Sequence, residues 1–188
     1  VKPLVPLARP VISVDIGRLC GCALVAPMQG PVGRPRLIDA WVWTASTPQL
    51  WVDRALVALT RADELAQEHG GDPVVVVENP PPWDRGRKKK LDTWLGLGRW
   101  QGLLQAAWVL GLAKSSVPTL VRQPWWVKKL GVPWKKDGEG GHRYNEAVLH
   151  LENAQEVLLG IKARGRVDAA EAALLGAAVS RYGEELGL

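Results

Sequence analysis

The chain has 188 residues, 47% of them hydrophobic and 23% charged, the composition of one folded domain with a core of its own, which argues against a disordered chain. Its 24 Lys and Arg against 19 Asp and Glu leave a net charge of +5, an excess that draws polyanions only where the cations cluster. Cys20 and Cys22 are the only cysteines, too few for a disulfide scaffold or a four-ligand zinc site. No apolar run approaches the roughly 18 residues of a membrane span, and no charged-then-apolar leader is recognisable. A cytoplasmic protein without a membrane partner is the expectation.

In chain order, the run VISVDIG from Val11 predicts a β-branched strand that ends on an acid and a glycine. GCALVAP returns as a second strand and Leu37–Trp43 as a third, an antiparallel meander. Residues 47–69 carry Leu50, Ala55, Leu56, Leu59, Ala62, Leu65 and Ala66 at helical spacing before Gly70 and Gly71. PVVVVENPPP then reads as a strand buried on both faces, stopped by its prolines. The segment WDRGRKKKLD reads as a basic loop, 93–112 as a helix rich in Gly and Leu, and VPTLVRQP as another strand. A second basic stretch, WWVKKLGVPWKKDGEGGHR, leads to helical patterns over 144–159 and 167–185. The order predicts a single α/β domain over 1–188, with a mixed five-stranded sheet of three antiparallel strands followed by parallel ones, flanked by helices.

Asp15 interrupts an apolar strand between Val14 and Ile16. A carboxylate in such surroundings is expensive unless it is paired or meets a cation. Taken alone it also fits a turn cap or a structural ion pair. Glu78 ends the four-valine strand, and the carboxyl ends of parallel strands are where open sheets place their ligands. Asp168 and Glu171, three apart on one helical face, sit among Ala169, Ala170, Ala172 and Ala173, which are small enough for the helix to lie close on a sheet. Two acids there also fit a first turn complementing the helix dipole. Four carboxylates suit Mg²⁺, with Mn²⁺ as a substitute, rather than zinc. Two such ions would activate water and stabilise the leaving oxygen of a phosphodiester.

The order VDIG, VVVVEN, LGLGRWQG and DAAEAALLGAA, together with VRQPWWVKKLG and KARGRVDAAEAALL, resembles the RuvC-like Holliday junction resolvases, especially their bacteriophage-type members. The resemblance implies an RNase H-like fold, a homodimer, and Mg²⁺-dependent paired nicking of four-way DNA junctions. It places the acidic tetrad on Asp15, Glu78, Asp168 and Glu171; the last position is usually Asp in the bacterial enzymes, and Glu171 adds a methylene. In that family an aromatic after the strand Glu is a wedge at the crossover, a role that falls here on Trp83. The glycine-bearing helix with Gly96, Gly98, Arg99, Trp100, Gln101 and Gly102 falls at the dimer interface.

Phosphate contacts are expected from Arg85, Arg87, Lys88, Lys89 and Lys90 directly after the strand Glu, where such contacts position a duplex without reading its sequence. A solvated charged loop is the plainer alternative. Lys128, Lys129, Lys135, Lys136, His142 and Arg143 alternate with Trp125, Trp126 and Trp134, the pairing of charge and stacking that branched nucleic acid needs, although either of the adjacent tryptophans also suits a core. Lys162, Arg164 and Arg166 precede the last acids as further phosphate ligands. Set against this reading are another RNase H-like nuclease acting on branched DNA or an RNA:DNA hybrid, an actin-like or sugar-kinase ATPase, for which the chain is short and lacks a second phosphate loop, and a DNA-binding module without catalysis.

Overall fold

The structure, a computed structural model, describes residues 5–17, 19–28, 33–79, 83–84, 87–88, 91–133 and 140–188. Three strands open it, β1 (Val11–Asp15), β2 (Cys20–Val25) and β3 (Leu37–Trp43), each antiparallel to the next. Helix α1 (Pro48–Glu68) follows, its first turn capped by Thr47 Oγ1, which accepts from the Leu50 amide at 3.3 Å. Strand β4 (Val74–Asn79) then enters parallel to β1, and β7 (Thr119–Arg122) later pairs parallel with β4. The sheet order β3-β2-β1-β4-β7 is the expected mixed five-stranded sheet of an RNase H-like fold.

Because strand side chains alternate between faces, the central strands feed two cores. Ile12, Val14, Val75 and Val77 join Trp51, Ala55, Leu59 and Ala62 of α1 and Leu104 of α2 (Leu91–Ala106) on one face. Val11, Val74 and Val76 meet the long helix α6 (Ala163–Tyr182) on the other, together with α3 (Gln123–Leu130), α4 (Gly140–His150) and α5 (Ala154–Leu159). Both cysteines are buried on β2. No helix among the described residues is long and apolar enough to cross a membrane.

Helix α6 lies unusually close to the sheet, and the reason is legible in its side chains. Ala169, Ala170, Ala172, Ala173, Gly176 and Ala177 are all fully buried. Ser13 Oγ donates to the Ala172 carbonyl at 2.7 Å. A side chain on Gly21 would run into the Asp168 carbonyl, and one on Gly176 into Ser13 and Val25.

Some boundaries differ from the sequence pattern. The stretch WWVKKLG, expected only as a basic segment, forms α3, with Pro124 in its first turn and Gly131 closing it in the left-handed region at φ 68°. The single helix expected over 144–159 is two, α4 and α5, parted at Asn153, which takes φ 62°. The last helix begins at Ala163, a turn before the expected 167, and gives way after Tyr182 to a 3₁₀ turn, Gly183–Leu186. Helix α2 runs on into a π-helical turn, Ala107–Gly111. Within the segment expected as a basic loop, β5 (Trp83–Asp84) pairs antiparallel with β6 (Arg87–Lys88).

Candidate active site

Strands β1 and β4 run parallel in a register that sets Val14 beside Val77. One step further, Asp15 and Glu78 stand as neighbours at the strand ends, two residues beyond Ser13 and Val76 and therefore on the face covered by α6. Both are buried, at 9% and 4% exposure. Gly21, which pairs with Asp15 across the antiparallel ladder, is the point where the Asp168 backbone rests on the sheet. The sequence thus brings the ends of two adjacent strands and the first turns of α6 to one place. Glu171 follows Asp168 one turn along, 22% exposed at its side chain.

Burial and the neighbouring acids together raise the pKa values of Asp15 and Glu171. Burial lifts the Asp15 carboxyl well above the usual carboxylate range, and the charge of Glu78, a side-chain hydrogen bond with Glu78, and the charges of Glu171 and Asp168 push it the same way. Glu171 is raised by burial and by Glu78, against the opposing pull of Arg143. Asp168, half-buried, is raised chiefly by burial. Such a cluster is suited to a positive partner.

Two of the acids already have protein partners. Trp126 of α3, fully buried, donates its indole Nε1 to Glu78 Oε1 at 3.1 Å, and the Glu78 carbonyl accepts from Gln101 Nε2 at 3.4 Å. Arg143 of α4 donates from Nε to Glu171 Oε1 at 2.9 Å. Among the described residues, no group of three or more His, Cys, Asp or Glu side chains is arranged to hold a metal ion in this conformation. The donor chemistry nonetheless fits a hard divalent cation: all four acids offer carboxylate oxygens, and those whose protonation is perturbed are pushed toward the neutral form by one another and by burial.

The cations expected at a DNA surface are placed unequally. Lys128, Lys162 and Arg164 are exposed. Lys129 binds Glu185 at 2.6 Å and lies over the Tyr182 ring. Arg166 donates to the Leu158 and Ile161 carbonyls, both at 3.1 Å, closing the end of α5, and lies over Tyr144. Arg143, which the alternation of basic and aromatic residues assigns to a DNA surface, is buried at 4% exposure because it shares the inward stripe of α4 with Ala147, continued by Leu151 just past the helix end. His142 faces Glu146 at 3.4 Å. Trp83, Arg87 and Lys88 belong to the β5–β6 pair, whereas Arg85, Lys89, Lys90, Trp134, Lys135 and Lys136 lie outside the described residues.

Sequence reasoning missed three neighbours of the acids: Trp126, Arg143 and Gln101. A signal existed for two of them. Trp126, Val127 and Leu130 carry the helical spacing of a buried stripe, and Arg143 stands four residues before Ala147 and eight before Leu151. Gln101 had none beyond its place in the glycine-rich helix.

No protein-family model matches the chain, and no curated protein matches it by sequence. Solved structures do match in fold. RuvC of Thermus thermophilus superposes with a TM-score of 0.58 at 20% identity, covering 95% of this chain and 96% of that one. The same organism's RuvC in complex with a Holliday junction substrate gives 0.56 at 18% identity, over 90% and 94%. The yeast mitochondrial Holliday junction resolvase Ydc2 gives 0.53 at 15%, over 99% and 85%.

Proposed function

We propose that this chain is a metal-dependent, structure-selective endonuclease that resolves four-way DNA junctions by paired phosphodiester hydrolysis, serving DNA recombination and repair or phage DNA processing. What supports the reading is the placing of Asp15 and Glu78 at the ends of neighbouring strands under the helix that carries Asp168 and Glu171, on a fold shared with RuvC in complex with a Holliday junction substrate and with the Holliday junction resolvase Ydc2.

In this reading the four acids would hold Mg²⁺, two ions or their Mn²⁺ substitutes, which would supply activation of water and stabilisation of the leaving oxygen. The chain's own contributions are separate. The repulsion between Asp15 and Glu78 would be relieved by a bound cation, and the Trp126 indole orients Glu78 for it. Gly21 lets α6 bring Asp168 up to the strand ends. Lys128, Lys162 and Arg164, with Arg85, Arg87, Lys88, Lys89, Lys90, Lys135 and Lys136, hold backbone phosphates and fix the register of the substrate. Trp83 inserts at the crossover, where unpaired bases offer a stacking face. Paired cutting requires two sites related by a two-fold axis. The α2 face bearing Gly98 and Gly102, four residues apart and both exposed, suits such a homodimer, since a Cβ added at either meets no atom within 4 Å among the described residues.

The test is cleavage of a synthetic four-way junction beside a plain duplex and an RNA:DNA hybrid, in Mg²⁺, Mn²⁺ and EDTA. The expected result is junction-selective, EDTA-sensitive nicking of opposed strands. Asp15→Asn should keep junction binding and lose more cleavage than the 10–100-fold or so typical of groups that only support a metal ligand. Undiminished cleavage by Asp15→Asn overturns the assignment, and preferential cutting of the hybrid moves it to the RNA:DNA class.

A further inference from the structure

The four acids are not equally provided for. Glu78 receives a neutral indole donor, Asp15 faces the charge of Glu78, and among the described residues Glu171 is the acid paired with a full positive charge. That charge is Arg143, buried on the inward stripe of α4, with its guanidinium 5.2 Å from the centroid of the Trp126 ring. Because Trp126 is also the donor to Glu78, one Arg–Trp unit spans two of the acids from the side of α3 and α4.

The grip of Arg143 is incomplete. A guanidinium serving a permanent ion pair takes a carboxylate with two parallel N–H groups. Here Nε makes the bond to Glu171, whereas Nη1 is buried and finds no hydrogen-bond partner among the described residues. A buried donor left unsatisfied destabilises the arrangement that strands it. The pair is thus strong enough to neutralise Glu171 and poor enough to be given up.

We infer that Arg143 is a built-in counter-cation: it occupies Glu171 while no divalent ion is bound, competes with that ion for the carboxylate, and so sets the concentration at which metal enters the site. The inference rests on the reading of the four acids as a divalent-cation site. Its physical basis is that Glu171 cannot serve both partners fully, since a guanidinium beside an incoming divalent cation is repelled by it.

The test is Mn²⁺ binding to the full chain without DNA, by titration calorimetry or by the free-ion electron paramagnetic resonance signal, for the wild type, Arg143→Gln, Arg143→Lys and Asp15→Asn. Arg143→Gln should bind Mn²⁺ about tenfold more tightly, as removal of a competing charged hydrogen bond predicts. It should also melt lower than the wild type in EDTA and gain more from added Mn²⁺. Arg143→Lys keeps the charge and should stay close to wild-type affinity. Should Arg143→Gln fail to fold, Arg143→Met, similar in length, takes its place. Equal or weaker Mn²⁺ binding by the neutral variant overturns the inference and makes Arg143 a residue that orients Glu171; equal tightening by Arg143→Lys overturns it in favour of lost packing. If Mn²⁺ binds the wild type and Asp15→Asn alike, or neither, the metal-site reading itself falls, an outcome distinct from both.

Discussion

Asp15 carries the clearest consequence for a single residue. The unfolded carboxyl titrates near about pH 4, and in the fold its value is raised, by burial first and then by Glu78. Between those two values the folded state holds a proton that the unfolded chain has released, so stability falls as pH rises through the window. Asp168 and Glu171, raised as well, act in the same direction. In EDTA the melting temperature should therefore decline from about pH 4 upward, and the decline should be shallower in Asp15→Asn, which cannot ionise at that position. Added Mg²⁺ at neutral pH should restore the loss, because a ligand that binds only the folded state stabilises it. Equal slopes for the wild type and Asp15→Asn would refute the assignment to Asp15. At this scale the acids were readable: a carboxylate in a run of valines is costly enough to stand out. Arg143 was only half readable: its spacing to Ala147 puts it on a buried stripe, but its partner Glu171 lies 28 residues away and leaves no trace in the local pattern.

Among the elements, the contact between α6 and β2 decides whether Asp168 reaches the strand ends. Gly21 is the critical position, since any side chain there meets the Asp168 backbone rather than a flexible neighbour. Gly21→Ala should destabilise the protein by about 1–3 kcal/mol, the usual effect of overpacking, read from urea denaturation. It should also weaken Mn²⁺ binding, which an equally destabilising change far from the site would leave alone. The three antiparallel strands followed by parallel ones, and α6, were legible in the β-branched runs and the alanine-rich stripe, whereas the strand order comes from the pairing in the fold. Helix α3 was hidden because Lys128 and Lys129 interrupt a short apolar pattern, and the break at Asn153 because a left-handed residue other than glycine leaves little trace in periodicity.

For the whole molecule, the glycine face of α2 offers the test of a two-fold assembly. Gly98 is exposed, and a Cβ there meets no atom within 4 Å among the described residues, so Gly98→Glu should fold at least as well as the wild type, given that glycine costs a helix up to about 1 kcal/mol. If this face joins two copies, sedimentation velocity should show the variant as a monomer where the wild type is a dimer. An unchanged sedimentation coefficient places the interface elsewhere. The same molecule-wide view gives the Ser13–Ala172 hydrogen bond a further meaning. It ties together positions 159 residues apart, and contacts of such long range form late because the chain between them must first be closed into a loop. During synthesis, the strand that carries Asp15 leaves the ribosome long before the helix that carries Asp168 and Glu171. A partly made chain therefore has no complete set of acids, and under the proposed function any capacity to cut DNA would arise only once nearly the whole fold has closed around them.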